Sequence, residues 1–473
     1  MIYYFDNIKN FSNELKIINN LNELISKTVL IFEKDEFISK GILLKEGTEF
    51  SLNLPIRIEK NCLEDITIET ESGYRILTTL NVEKRNMKVR NNDIFANTLC
   101  SIQYLRNNTF SPDFISQFRC FIPTDPSKLH TYRFQLETIT YSESEITYSS
   151  QCVRVNIEDI QFDVLQIKSN QEGYYVIEAF QNMPFGDFAN YCYAIQQALG
   201  FVMGYMPGGE IFYFSGNKHF YYINHIRPAM ESLYYPVHTN PYHFLQFRKM
   251  SAENYLGKLN VISAKCFSDL VSLIYLNERF SSVITMMIES ESIRSLLLVP
   301  SIYAIILESL SKIVCVPITE EKKPIQKKEL FRRILKDMEN VIDTYSKEFE
   351  VDDVISKLKR RLSESNKPIK QLSNTEKLIQ PFEQLGIELT PEDIAMIEHR
   401  NDLLHGNTHL TDDNRTETCD INNYMMYASG KLYTLISSLI LKYVGYNGYI
   451  INHAKVCEKK CNINTKEEYY KLI

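Results

Sequence analysis

Leu389-Thr390-Pro391-Glu392-Asp393-Ile394-Ala395-Met396-Ile397-Glu398-His399-Arg400-Asn401-Asp402-Leu403-Leu404-His405-Gly406 carries the marks of a complete helix with both ends signalled. Thr390 suits the N-cap and Pro391 the first helical position. Glu392 and Asp393 sit at the positive end of the dipole, and Gly406 can take the left-handed conformation that ends a helix. At about 100° per residue, Met396, Ile397, Leu403 and Leu404 fall within about 60° of Arg400, so an arginine lies on the apolar stripe. Asn401 and His405 are one turn apart at the edge of that stripe, and Glu398 lies there too.

A guanidinium on an apolar face is costly unless a carboxylate, a phosphate or a partner chain meets it. One solution is an internal ion pair. The other is a cleft in which the Arg400 fork binds phosphate while His405, which exchanges a proton near neutral pH, acts as acid or base.

Around this helix, apolar residues recur at three- and four-residue spacing over Tyr255 to Ile288, Ser292 to Val314, Lys328 to Tyr345, Asp352 to Leu362, Pro391 to His405 and Asn422 to Val444. They predict an α-helical bundle, with loops at Pro317 to Pro324 and Ser363 to Asn374. Upstream, from about Thr28 to Ala179, short runs of period two such as Ile66-Thr67-Ile68-Glu69-Thr70 predict an antiparallel sandwich or open barrel. A helix is expected over Phe188 to Met203, ended at Gly204. A hairpin should follow, with Ile211 to Ser215 and Lys218 to Tyr222 flanking a two-residue Gly216-Asn217 turn. Breakers at Pro236 and Pro241 place the boundary near there. The expected class is α+β: a β-rich N-terminal domain over residues 1–240 and an all-α domain over 241–473.

The chain has 473 residues, 44% hydrophobic and 23% charged, enough for two domains and unlike a disordered or collagen-like chain. A net charge of −7 argues against a surface coated in nucleic acid or held on an anionic membrane, while leaving room for one local RNA contact. The start, Met1-Ile2-Tyr3-Tyr4-Phe5-Asp6, lacks the pattern of a secretory signal, and the apolar segments Leu296 to Leu307 and Leu432 to Leu441 are too short to span a bilayer. The expected setting is the cytoplasm, with the ten cysteines reduced and no membrane partner.

Arg400-Asn401-Asp402-Leu403-Leu404-His405 resembles the R-N-x-x-x-H motif of the HEPN superfamily, many members of which are metal-independent ribonucleases in toxin, CRISPR and phage-defence systems. A β-rich first half joined to such a bundle further resembles the ApeA-like abortive-infection proteins. The resemblance implies a homodimer in which two motif helices face one another over an RNA substrate. It also implies catalytic roles for Arg400, Asn401 and His405, no metal and no cofactor. The N-terminal domain would act as a sensor or substrate module, under a phage-derived trigger or a neutralising partner. The alternative is a non-catalytic HEPN module for dimerisation or protein binding, with Arg400 in a buried ion pair.

Other features are weaker. Lysines and arginines from Lys322 to Lys336 and from Lys357 to Arg361 form a basic surface, but interleaved Glu329, Asp337, Glu339 and Asp353 favour a solvated, ion-paired helix face. His453, Cys457 and Cys461 recur every four residues without a fourth zinc ligand. His399 and His409 read as surface or supporting histidines, and the aromatics of Phe212 to Tyr235 as sheet core. No Walker loop, nucleophile elbow, zinc helix or dinucleotide fingerprint is present.

Overall fold

A computed structural model of the chain describes residues 11–23, 27–47, 49–70, 73–90, 93–107, 109–129, 140–142, 145–147, 152–169, 171–216, 219–224, 227–237, 262–293, 295–315, 325–349, 352–366, 373–404, 418–461 and 465–473. After one short helix come six antiparallel strands: β1 (Lys27–Glu33), β2 (Glu36–Glu46), β3 (Glu49–Leu54), β4 (Cys62–Glu69), β5 (Arg75–Arg90) and β6 (Asp93–Ile102). Their spatial order is β5-β4-β1-β2-β3-β6, and β6 pairs again with β5, so the sheet closes into a barrel. The open barrel or sandwich expected from the sequence is therefore corrected to a closed six-stranded one. The cause lies in β5, whose 16 residues pair with β4 near their start and with β6 over Leu80 to Arg90. Register shifts in the β1–β2, β4–β5 and β5–β6 pairs supply the bends that closure needs.

A second run of strands extends from the barrel wall: β7 (Tyr104–Arg106), β8 (Phe118–Thr124), β9 (Cys152–Ile157), β10 (Ile160–Ser169), β11 (Glu172–Ala179), β12 (Glu210–Ser215) and β13 (His219–Asn224). They continue the same sheet in the order β9-β10-β11-β8-β12-β13-β7-β5. Both faces of this extension are buried. Phe121, Tyr174, Val176, Phe212, Phe214 and Tyr222 join the core of the barrel, together with Leu15 and Ile18 of α1 (Ser12–Glu23). Their neighbours Cys120, Ile122, Tyr175, Ile177, Ile211 and Tyr213 join the core of the helices. Alternation along each strand thus feeds two cores from one sheet. The aromatics of β12 and β13 fill them as expected. The hairpin turn differs from expectation: Ser215 pairs with His219, which leaves a three-residue loop opened by Gly216 at φ +60°. Asn217 and Lys218 lie outside the described residues.

The helices are α2 (Phe185–Met203), α3 (Ala264–Leu276), α4 (Glu278–Ile293), α5 (Leu298–Val314), α6 (Lys328–Thr344), α7 (Asp352–Glu364), α8 (Asn374–Gln384), α9 (Pro391–Leu404), α10 (Thr418–Tyr443) and α11 (His453–Cys461). Gly204 ends α2 at φ +69°, its amide bonded to the Gly200 carbonyl. The single helical pattern read over Tyr255 to Ile288 is two helices, broken at Asn277. That residue closes α3 with its amide and opens α4 by accepting the Phe280 amide at its side chain, 3.1 Å. Residues 255–261 lie outside the described residues. Helix α8 was not among the helices expected from the sequence. Its start is a capping box between Ser373 and Glu376, and Pro381 inside it masks the pattern. The C-terminal half, expected to be all-α, is corrected by one strand pair that joins its end back to the bundle: β14 (Tyr449–Ile451) and β15 (Tyr470–Leu472) pair antiparallel. Among the described residues no helix is long and apolar enough to cross a membrane.

Helix α2 packs closely on α4 at Gly200, where a Cβ would lie 2.6 Å from Ile288 Cδ1 and 2.8 Å from Met206 Cβ. Alanine ordinarily favours a helix interior over glycine by about 1 kcal/mol. Here Met206 Cβ cannot rotate away, so Gly200→Ala is expected to lower the unfolding free energy by about 1–3 kcal/mol in urea titration. A gain in stability would show that the two helices can part at this point.

Candidate functional site

The motif helix α9 begins as its sequence dictates. Thr390 Oγ1 accepts the Asp393 amide at 3.1 Å, and Asp393 Oδ2 accepts the Thr390 amide at 3.0 Å, a reciprocal cap. Met396, Ile397 and Leu403 are buried in the helical core. At the other end, Ser301 Oγ of α5 donates to the Leu403 carbonyl at 2.8 Å, satisfying one of the last helical acceptors. Gly406, expected to end the helix, lies outside the described residues, as do His405 and His409.

Arg400 is on the buried stripe, with only 2% of its surface exposed. Its Nη2 lies 3.1 Å from Glu308 Oε1 of α5, and its Nη1 donates to Asn401 Oδ1 at 3.0 Å. Nε is buried and finds no acceptor among the described residues. The guanidinium is therefore shared between a neighbouring helix and the next residue. Asn401 is exposed and the Glu308 side chain is 37% exposed, so this group ends at the rim of the bundle. Of the three expected site residues, the structure brings Arg400 and Asn401 together. Glu398 is exposed at the edge.

His399 is buried rather than on the surface, and its Nδ1 sits 3.0 Å from Asp402 Oδ2. Its ring meets Tyr424 of α10 edge to face at 5.6 Å. Burial, and then the charge of Asp402, push the Tyr424 phenol up to about 12. Asp402 is thus a partner of His399. A histidine held by a carboxylate has its tautomer and ring plane fixed.

Beneath the start of α9 is a cluster that the sequence reading did not find. Asp393, 1% exposed, receives Lys431 Nζ of α10 at 2.7 Å and also the Lys471 ammonium of β15. Lys431, itself 2% exposed, reaches Glu467 Oε2 at 2.7 Å, and Asn452 Nδ2 donates to the same oxygen at 2.6 Å. Burial pushes the Asp393 carboxyl up, but the charges and hydrogen bonds of Lys471 and Lys431 outweigh it and hold the group below the usual carboxylate range. The available signal was one lysine inside the apolar run Ala428-Ser429-Gly430-Lys431-Leu432-Tyr433. Glu308 gave a similar one, within Ile305-Ile306-Leu307-Glu308-Ser309-Leu310.

His453 is buried with Nε2 2.8 Å from the Tyr235 carbonyl, and Cys457 and Cys461 are buried in the core. Among the described residues no group of His, Cys, Asp and Glu is placed to hold a metal. In the basic region, Lys357 pairs with Asp353, Lys359 with Asp343 and Arg360 with Glu364, as on a solvated helix face. Lys322 and Lys323 lie outside the described residues.

Comparison with protein-family models, with curated proteins and with solved structures returns no match.

The Asp393 cluster makes the seat of α9 pH-dependent with a defined sign. A carboxyl depressed on folding contributes stability that is complete above its unfolded value, near pH 4, and lost as pH falls through the folded one. Asp393→Asn is expected to cost about 3–5 kcal/mol at neutral pH, because Lys471 loses its carboxylate partner and the buried Lys431 is left with Glu467 alone. Denaturant titrations should show the gap between wild type and variant shrinking below pH 4. An equal gap at both pH values would mean that the carboxylate charge contributes nothing.

Proposed function

We propose that the chain is a cytoplasmic, metal-independent endoribonuclease of the HEPN kind, a restrained toxin-like effector in antiviral defence. Its support is the Arg400-Asn401-Asp402-Leu403-Leu404-His405 segment, on a capped helix whose guanidinium reaches the bundle rim already bonded to Asn401 at 3.0 Å. In the reaction, the ribose 2′-oxygen attacks the adjacent phosphorus and the bond from phosphorus to the 5′-oxygen breaks. The products are a 2′,3′-cyclic phosphate and a 5′-hydroxyl. His405 of one copy takes the 2′-hydroxyl proton and His405 of a second copy supplies one to the leaving oxygen. Arg400 turns its fork from Glu308 to the phosphorane, with Nε–H available as a further donor, and Asn401 orients phosphate or imidazole through its amide. A homodimer brings two copies of each group to one RNA substrate, and a phage-derived trigger or a neutralising partner governs access.

One observation favours a second reading, a non-catalytic HEPN module for dimerisation or protein binding. Arg400 already has a carboxylate, Glu308, at 3.1 Å within its own chain. In that reading the pair is structural and the helix serves as a packing face.

Incubating wild type and His405→Ala with total RNA in excess EDTA tests the first reading. Cleavage by wild type alone, leaving cyclic-phosphate ends, is the expected result. Cleavage retained by a folded His405→Ala protein would overturn the catalytic assignment. Glu308→Gln separates the two readings. As an enzyme it should cleave at least as fast as wild type, because phosphate no longer competes with a carboxylate. As a structural module it should lose stability and remain silent.

A further inference from the structure

Helices α5 and α9 are matched at two points. Ser301 Oγ of α5 donates to the Leu403 carbonyl at 2.8 Å, and Glu308, two turns on, meets Arg400 Nη2 at 3.1 Å. Residue numbers rise along α5 while they fall along α9, so the helices run in opposite directions. Between the two contacts α5 presents Ile305. At about 100° per residue it lies about 40° from Ser301 and about 60° from Glu308, on the side away from the buried Ala304, Leu307 and Ser311. It is 46% exposed, and Leu298, two turns back and about 20° round the helix, is 53% exposed. Scattered surface apolar residues need no explanation, but Ile305 stands on the rim beside the Arg400 fork.

Charge on the same stripe identifies the occupant. Lys312 lies one turn beyond Glu308 and about 20° round the helix from Ile305. It is exposed and has no ion-pair partner among the described residues. Its place in the last turn of α5 suits the helix dipole, which accounts for a cation there but not for the open isoleucine on the same stripe. Glu308, four residues before Lys312, is engaged by Arg400 instead. The order along the rim is therefore apolar at Ile305, cationic at Arg400 and cationic again at Lys312. Glu308, which marks the Arg400 fork, and Lys312 are about 6 Å apart along α5, comparable with one nucleotide step of an extended strand. A polynucleotide repeats apolar base and anionic phosphate in this way, whereas an apolar protein face matches only Ile305 and Leu298.

We propose that this stripe of α5 is the substrate track of the reaction proposed for α9, an inference that rests on that reading. With one phosphate on Arg400, the base on one side of it lies face-on against Ile305, and the next phosphate on the other side is bound by the Lys312 ammonium. The base displaces water from an apolar side chain, and the ammonium releases counterions from the strand. Neither side chain touches the reacting atoms. Each therefore binds ground state and transition state alike, and its loss raises KM with kcat unchanged.

Fluorescence anisotropy with an unstructured oligoribonucleotide reads both contacts, in EDTA and on the full-length His405→Ala chain so that the probe stays intact. Lys312→Ala should weaken binding and lower the slope of log K against log salt by about 0.7, one phosphate contact. Ile305→Ala should weaken binding about three- to tenfold with that slope unchanged, and the loss should vanish on an oligomer of the same length without bases. Both positions are exposed, and matching thermal melts establish that the variants fold. An unaltered slope in Lys312→Ala, or unaltered affinity in Ile305→Ala, would overturn the track. So would a Lys312→Ala effect that disappears beside Glu308→Gln, since the ammonium would then serve that carboxylate. A dimer that Ile305→Ala dissociates on sedimentation would assign the stripe to a second copy and overturn it too. RNA cleavage by wild type with both affinities unchanged would count against the track alone and leave the reaction standing, whereas no RNA binding by any chain would sink both. Both binding effects in a chain that never cleaves would sustain the contacts and count only against the enzyme.

Discussion

One sheet must satisfy two cores, and the architecture follows from that requirement. In β8, β11 and β12 successive residues point in opposite directions, so Tyr174 and Val176 enter the barrel core while Tyr175 and Ile177 enter the helical one. All six residues of β12 are buried. A strand buried on both faces has no polar side to lose, and a one-residue slip would move every large ring into the wrong core. The register is correspondingly fixed, and with it the platform on which α2 and α3 pack. The line between cores does not follow chain order: residues 110–237 supply side chains to the helical core, although they precede the bundle in sequence.

That platform positions the bundle, but the seat of α9 depends on charge. Asp393, Lys431, Glu467 and Lys471 come from three separate segments of the C-terminal half, and the first two are almost wholly buried. Taking such ions out of water costs several kcal/mol each and is offset only when every charge is matched in good geometry. Here two carboxylates meet two ammoniums, with Asn452 donating to Glu467 as well. An apolar contact tolerates sliding, whereas this cluster tolerates little, so the N-terminus of α9 is held in both position and direction.

How much of this could be read from the sequence depended on how local each cause was. The N-terminal cap of α9 and the burial of Arg400 rest on residues within one helix, and were legible. So was the helical nature of the C-terminal half, since 3.6-residue periodicity is short-range. The closed barrel was not, because closure rests on β5 pairing with strands on both sides, and period two says nothing about which strands meet. Runs such as Tyr174-Tyr175-Val176-Ile177 did carry the signal of double burial in their unbroken apolar character. The Asp393 cluster joins ion-paired residues 36 to 78 positions apart, so an apolar run could mark Lys431 as a buried cation but could not name its partners. Helix α8 failed for the opposite reason: a local breaker, Pro381, outweighed a capping box that was present in full.

Lys431 and Arg400 show two ways of burying a cation in the same bundle, and the difference bears on which can act. Lys431 is enclosed by Asp393 and Glu467, with 1% and 7% of their side chains exposed, so an incoming anion has no route to it. Arg400 is as buried along its stem, but its fork meets one carboxylate that is 37% exposed and one neutral amide. Near solvent the effective dielectric is high and the attraction of such a pair is correspondingly modest. Replacing Glu308 with another oxyanion exchanges like for like: the guanidinium keeps a counter-charge, and the displaced carboxylate regains water. The Lys431 arrangement can only hold a fold together, whereas the Arg400 arrangement can also change partners, the property a phosphate-binding arginine requires.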